Sequence, residues 1–323
     1  MSRVIVTDVS VVIPNWNGDR VLLRCIDSVI SDLRTSGLRH EIIVVDDKSQ
    51  DDSVRILRER FPEIQIVLNQ KNSGFAFSCN QGMQRAQGEF ILLLNNDIIV
   101  RPGSIRRVWE FMAWHRDVGG AGCRILNESG EVQKTCHDFP SLPKLFKNRI
   151  FRMLAASCPK AATGLSLDCW PHDSLRAVDW ISMMFFMVSR RVFEIIGGLD
   201  ERFFMYGEDA DYGWRLNQAG FKVVFVPDSS VVHLGSYSGN KRWGPMAMVR
   251  RQLALHELLR KWYSPYHVWG YRLGMTSVLV GRIFSAVIKK VLRRSMKEES
   301  DLALTLLLLR CNLGLLRNRN EKI

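Results

Sequence analysis

Three clusters of acidic and amide residues stand where this sequence could do chemistry. Asn95-Asn96-Asp97 directly follows the apolar run Phe90–Leu94. A carboxylate at such a strand end projects into a cleft and can hold a divalent ion against a diphosphate. Hard ions such as Mg²⁺ take one or two protein carboxylates and fill the remaining positions with phosphate oxygen and water. Such an ion would neutralise charge growing on a diphosphate leaving group. Asp46-Asp47-Lys48-Ser49-Gln50-Asp51 is a second acidic exit. One of its carboxylates can accept a hydrogen bond from a base N–H or a ribose hydroxyl, whereas Ser49 and Asp51 read better as helix caps. Glu208-Asp209-Ala210-Asp211 opens a helical pattern. Carboxylates there can simply partner the helix dipole. Asp209 is also a candidate for the base that deprotonates an attacking hydroxyl opposite a leaving group. Asp211 and Arg215, four apart, read as a supporting ion pair. His233 closes the run Ser230–His233. A histidine at a strand end is more often structural, yet a neutral imidazole can complete a metal site begun by a carboxylate.

These residues need elements to position them. Val9–Pro14, Glu41–Asp46, Ile64–Leu68 and Phe90–Leu94 read as strands, separated by helices over Asp19–Asp32, Asp51–Arg60 and Phe75–Gln87. Apolar runs without strict alternation, alternating with helices, predict a mostly parallel α/β sheet covered on both faces. The ligand site of such a sheet lies beyond the carboxyl ends of its strands. That rule points to Pro14–Asn17, Asp46–Ser49 and Asn95–Asp97, all polar exits from apolar runs. Residues 130–178 mix Pro, Lys, Arg and aromatics with little periodicity and read as a variable loop with short helices over the site. Strand character resumes over Asp179–Ser189, a helix over Glu208–Ala219 ends at Gly220, and Lys222–Pro227 and Ser230–His233 read as the last strands.

Charge separates the rest. Of a net +12, residues 245–323 hold +10, from 15 basic and 5 acidic side chains, so residues 1–244 are close to neutral. A uniformly basic nucleic-acid binder would not be built this way. The tail reads as helices over Met246–Trp262 and Tyr266–Arg294 and a short apolar run, Leu302–Leu309. Arg272 and Arg282 interrupt the second helix, so a helix lying in a membrane interface fits better than a spanning one, with Lys289, Lys290, Arg293 and Arg294 near anionic headgroups. A helical pair packed on the first domain, with a solvated basic face, is the plainer alternative. Seven cysteines without a Cys-x-x-Cys pair argue against a zinc ribbon or a disulfide framework and for buried free thiols. The absence of a leader-like segment before the first strand predicts a cytoplasmic chain.

VSVVIPNWNG, EIIVVDDKSQDDS, KNSGFAFSCNQGMQRAQGEFILLLNND, DWISMMFFMVSRRVFEIIGGLDERFFMYGEDADYGWRLNQAG and VVHLGS occur in this order over roughly residues 8–240. Together they resemble glycosyltransferase family 2, the inverting group with the GT-A fold, and within it the rhamnosyltransferase-like branch. The resemblance implies a Rossmann-like α/β domain over 1–244, with a mostly parallel sheet flanked by helices, and a helical, basic appendage over 245–323. It implies that Pro14, Asn15 and Asn17 line a nucleotide pocket, that Asp46 or Asp47 contacts the base, and that Asn72, Gly74, Asn80 and Asn96 lie along the nucleotide and sugar. It makes Asp97 the carboxylate for a divalent cation, Mg²⁺ or Mn²⁺, with His233 as a second ligand and Asp209 as catalytic base. Trp180 and Glu208 fall on the acceptor side. Two positions depart from the pattern: Asn95 replaces an Asp in the metal element, and Ser182-Met183-Met184 stands where relatives often carry Gly-Ala. Bulky methionines there would narrow an acceptor pocket.

The reading is an inverting, metal-dependent transfer from a nucleotide-diphosphate sugar, dTDP-rhamnose foremost, to a cell-surface glycan or lipid-linked acceptor at the inner face of the membrane. A UDP-hexose or UDP-galactofuranose donor remains open, as does a nucleotide-sugar-binding scaffold without turnover. The scaffold would have no need of Asp209.

Overall fold

Val9, Val11, Val12 and Ile13 are completely buried, because their strand is sandwiched between two layers of helix. This strand, β1 (Val9–Asn15), pairs in parallel with β2 (His40–Asp46) on one side and with β4 (Phe90–Leu94) on the other. β3 (Gln65–Leu68) adds in parallel outside β2. The computed structural model describes residues 7–141, 143–144, 167, 170–235, 246–293 and 296–315. The chain forms two compact units, Met1–Phe139 with Thr163–Tyr237, and Pro140–Ala162 with Ser238–Ile323.

The first unit holds the large sheet, in the order β3-β2-β1-β4-β11-β6-β12-β5, where β5 is Ile98–Val100, β6 Val118–Leu126, β11 Phe185–Ser189 and β12 Lys222–His233. Short β7 (Val132–Gln133) pairs with β6 and β9 (Arg176–Val178) with β12, while β8 (Cys136–His137) and β10 (Trp180–Ile181) form a separate two-stranded ribbon. Successive strand residues point to opposite faces. Val11, Ile13 and Val44 thus meet helices α1 (Asp19–Ser36), α2 (Ser53–Arg60) and α4 (Ser104–Trp114). Val12, Ile43 and Val45 meet α3 (Phe75–Arg85), α5 (Arg190–Ile196) and α6 (Glu208–Gln218).

The expected continuous strand over Asp179–Ser189 is two, broken by a tight turn in which the Met184 N–H donates to the Ser182 carbonyl at 2.8 Å. The two expected last strands are one, with a bulge between Val226 and Ser230 in its pairing with β6. Within 130–178 the described residues carry the short strands β7, β8 and β9 rather than only loop and helix. Pairing fills what periodicity alone left blank. The remainder of that segment lies outside the described residues.

Direction within the sheet decides where the site forms. β11 runs antiparallel to both β4 and β6, so β6 runs with β4, and β12, parallel to β6, does so too. The carboxyl ends of β1, β2, β4, β6 and β12 therefore share one edge. α6 must also start there, since the chain has to return to the opposite edge, where Lys222 pairs with Val118 at the beginning of β6.

In the second unit, α7 (Met246–Trp262) and α8 (Pro265–Arg293) pack through Leu259, Val268 and Tyr271, and α9 (Met296–Asn312) joins them through Asn312. The apolar run Leu302–Leu309 lies inside α9. His256 is buried, its imidazole bonded to the Asn312 amide oxygen at 3.0 Å, and Arg272 donates to the Asn312 carbonyl. The side chains of Lys289, Lys290 and Arg293, and the whole of Arg294, lie outside the described residues. Among the described residues Cys25, Cys79, Cys123, Cys136 and Cys311 are buried free thiols.

One side chain locks α6 to α5. Arg215 donates to fully buried Asp211 at 2.9 Å, to the Ile196 carbonyl at 2.8 Å and to the Gly198 carbonyl at 2.6 Å. Arg215→Ala removes the guanidinium from a buried carboxylate and from two carbonyls, and should cost about 3 kcal/mol of stability in urea unfolding. Asp211→Ala/Arg215→Ala should recover part of that loss, because the buried charge leaves with its partner. A single variant as stable as the parent would contradict the assignment.

Candidate active site

The exits of β1 and β2 are knitted together by side chains. Asn15 is buried and donates from Nδ2 to Asp46 Oδ1 at 3.0 Å, while its Oδ1 accepts from Asn96 Nδ2 at 2.8 Å. Pro14 is half-buried just before it. Asn17 adopts φ +49°, a left-handed conformation that asparagine tolerates, and its Oδ1 accepts from the Gln50 N–H at 2.7 Å. Asp46 accepts from Ser49 Oγ on Oδ1 at 2.5 Å and from the Ser49 N–H on Oδ2 at 2.9 Å. Ser49 is therefore not the cap of α2. Asp51 instead joins two helix starts, accepting from the Asp19 N–H at 2.9 Å and from Ser53 Oγ.

Asp47 is fully engaged. Oδ1 accepts from Asn69 Nδ2 at 2.9 Å and the Ser73 N–H at 2.8 Å; Oδ2 accepts from the Gly74 N–H at 2.8 Å and from the Asn72 amide at 3.0 Å. An ionised carboxylate has about four acceptor sites. Asp47 thus holds the loop before α3 with all four sites taken, whereas Asp46 accepts three bonds. Asn72 spans from Asp47 to the Trp16 indole N–H, 2.7 Å from its amide oxygen. Gly74 has φ +93°, and a Cβ there would come within 2.3 Å of the Phe204 carbonyl oxygen. That close approach, with the Phe75 N–H donating to the same carbonyl at 3.0 Å, admits only glycine. The expectation for Asn80 needs correcting. Its amide is buried and clamps the Leu199 backbone, donating to the carbonyl at 2.9 Å and accepting from the N–H at 2.7 Å, with a further bond to Glu201. It braces the loop before α6 and has no amide group left for a sugar.

Asp97 is the opposite case. It is buried, and neither carboxylate oxygen has a hydrogen-bond partner. His233 Nε2 lies 3.3 Å from Oδ2, and His233 Nδ1 lies 2.9 Å from Gln133 Oε1. An amide oxygen only accepts, so Nδ1 carries a proton, and Nε2 is the ring nitrogen that faces Asp97. A buried carboxylate without a hydrogen-bond partner and an imidazole nitrogen facing it form the kind of pair that can hold a divalent cation. The hydrogen bond behind the imidazole is the usual orienting contact for a metal ligand. Among the described residues no third His, Cys, Asp or Glu joins them, which leaves the remaining positions to phosphate and water. Gln133 was hidden from sequence reasoning because it lies in the segment without periodicity.

The start of α6 offers two unlike carboxylates. Glu208 is buried with Oε2 unpartnered; burial first, and the charge of Asp209 second, push its carboxyl well above the usual range. Asp209 is half-buried and accepts from the Ala210 N–H at 2.8 Å. α6 approaches the ribbon closely: a Cβ on Gly213 would sit 2.5 Å from Trp180 Cβ. Trp180 stacks on His137 with centroids 4.1 Å apart, and its indole N–H donates to the Asp138 carbonyl at 3.3 Å. Met183 does not narrow a pocket as expected: it is buried in the core shared with α3 and α6, while half-buried Met184 packs against the other core.

Glu208 makes stability fall as pH rises. Below the ordinary carboxylate range both folded and unfolded chains hold this proton; above it the unfolded chain releases it first and is favoured. Glu208→Gln should therefore raise Tm at pH 7–8 and leave it unchanged near about pH 3, where the wild-type side chain is neutral in both states. A melting series across pH that shows equal shifts at both ends would contradict the buried, proton-holding carboxyl.

Known proteins resemble this chain in sequence and in fold. The family described as Glycosyl transferase family 2 matches residues 10–170. An N-acetylglucosaminyl-diphospho-decaprenol L-rhamnosyltransferase of Mycobacterium tuberculosis is 26% identical over 208 residues, 61% of this chain and 67% of that protein. Rhamnosyltransferase WbbL of Escherichia coli is 27% identical over 151 residues, 46% of this chain, which spans about half (53%) of that relative. Among solved structures, the mannosyltransferase PcManGT from Pyrobaculum calidifontis, in complex with GDP-Man and Mn²⁺, superposes with a TM-score of 0.57 at 14% identity, over 97% of this chain and 90% of that one. GalNAc-T7 with UDP, GalNAc and Mn²⁺ gives 0.56 at 18% identity, over 80% of this chain and 49% of that one. These likenesses establish the GT-A fold, and with the sequence matches they lead to one conclusion: the chain belongs to glycosyl transferase family 2, and its sequence is similar to that of rhamnosyltransferases.

Proposed function

We propose that this glycosyltransferase moves L-rhamnose from dTDP-rhamnose to a lipid-linked or growing cell-surface glycan, with inversion at the anomeric carbon. The observation that carries the reading is the unpartnered Asp97 carboxylate facing His233 Nε2 on the edge where Asp209 opens α6. In the reaction the acceptor hydroxyl attacks the anomeric carbon as the bond to the diphosphate breaks on the opposite face. Asp209 takes the hydroxyl proton, and the bonding pair of the broken bond leaves with the diphosphate. Glu208 stays protonated beside it, sparing Asp209 a second negative neighbour and leaving an O–H to donate on the acceptor side. Asn15, Asn17 and Asp46 take the nucleotide at the β1 and β2 exits, and Trp180 borders the acceptor. A divalent cation held by Asp97 and His233 would supply the countercharge for the departing diphosphate.

The rhamnose assignment leans on the two rhamnosyltransferase relatives, one of which is named for a diphospho-decaprenol acceptor. UDP-hexose and UDP-galactofuranose are the competing donors, since the strand-exit residues bear on base and diphosphate more than on sugar. We also assign to residues 245–323 a peripheral contact with the inner face of the membrane. Their net charge of +10 supports it, and no described helix is long and apolar enough to cross a bilayer.

Asp209→Asn should lower turnover by about a thousandfold while donor affinity, read by calorimetry with the nucleotide sugar, stays within a few-fold of the parent. Turnover kept within tenfold would remove Asp209 from the role of base. Chelation with EDTA should silence transfer and Mn²⁺ or Mg²⁺ restore it; full activity in chelator would dismiss the Asp97–His233 assignment.

A further inference from the structure

Helix α8 is apolar on two opposite sides. Val268, Tyr271 and Leu279 are buried within their unit, and Val268 and Tyr271 pack with Leu259 of α7. On the other side Tyr266, Trp269, Leu273, Val280, Phe284 and Val287 are 90, 76, 67, 51, 69 and 43% exposed. At 3.6 residues per turn these six fall within a strip about 60° wide, and from first to last they run about 32 Å along the helix axis. An amphipathic helix packed on its own unit would show charge on that outer face. This one shows three aromatic rings and three aliphatic side chains. A continuous exposed apolar strip of such length marks a surface that meets something apolar.

We infer that this strip is the face by which the protein lies in the surface of an anionic lipid bilayer. The inference rests on the membrane contact proposed above and names the side chains that make it. Charge selects the occupant. Residues 245–323 carry 15 basic against 5 acidic side chains, so a second copy would bring its own +10 against the first, whereas anionic headgroups complement it. The spacing agrees. Tyr266, Leu273, Val280 and Val287 recur every seven residues, but the alternating seam that a paired coil needs is broken by Thr276 and Lys290. Trp and Tyr at one end suit the headgroup boundary. Arg282 within the helix, and the absence of any described helix able to cross a bilayer, favour a helix in the plane of the interface.

The test is vesicle flotation of the full chain and of the variant Trp269→Ser/Phe284→Ser, with vesicles of phosphatidylcholine alone or with about a third phosphatidylglycerol. Both substitutions fall on exposed positions, and a circular-dichroism melt should leave Tm unchanged. The parent should float with the anionic vesicles and much less with the neutral ones, and the variant's bound fraction should fall at least tenfold. A parent that fails to float with anionic vesicles overturns both the membrane contact and this face. A parent that floats beside a variant that floats equally well overturns the face alone. Light scattering without lipid that gives a dimer for the parent and a monomer for the variant would reassign the strip to self-association and overturn the inference.

Discussion

A strand buried on both faces can satisfy its backbone only through its neighbours, so polar side chains emerge only where the strands end. That constraint shapes this protein. β1, β2 and β4 are apolar along almost their whole length, and each turns polar at its carboxyl end, at Asn15, Asp46 and Asn95. With β6 and β12 running the same way, one edge of the sheet collects the amides, carboxylates and imidazole, while the opposite edge holds turns. Everything later in the site, including the start of α6, is brought to that edge by the need of the chain to cross the sheet again.

The buried carboxylates at this edge divide by what satisfies them. Asp46 and Asp47 accept three and four protein hydrogen bonds and thereby shape the loops after β2. Asp97 accepts none, which leaves its binding capacity for something outside the chain. In Glu208 burial, with the charge of Asp209, pushes the carboxyl well above the usual range and so favours its neutral form. Four chemically similar groups therefore differ in their surroundings, and the local supply of donors, rather than residue type, decides how.

This is also where reading the sequence succeeds and where it stops. Strand exits were legible because period and polarity change together at Asn15, Asp46 and Asn95. The Asp211–Arg215 pair was legible because four-residue spacing on a helix is local information. The amide of Asn80 was not: its partner Leu199 is 119 residues away, and only the folded chain brings the two together. Gln133 lies in a two-residue strand too short to leave a pattern. Met183 was misjudged because side-chain direction follows from the turn it occupies, and that turn is held by Thr135 and Asn95 across the fold. In α8 the apolar positions were visible, but not that they divide into a packed face and a bare one.

Gly74 ties these parts into one mechanical chain. Its N–H is held by Asp47, its missing side chain makes room for the Phe204 carbonyl, and Phe204 lies four residues before Glu208. The loop after β2, the first turn of α3 and the approach to α6 are thus joined by direct hydrogen bonds, from the Gly74 N–H to Asp47 and from the Phe75 N–H to the Phe204 carbonyl. A displacement of a few tenths of an ångström in the loop after β2 would be handed on to the start of α6. In the proposed reaction, donor side and acceptor side share a single dimensional tolerance, set by the space that one absent methyl group leaves.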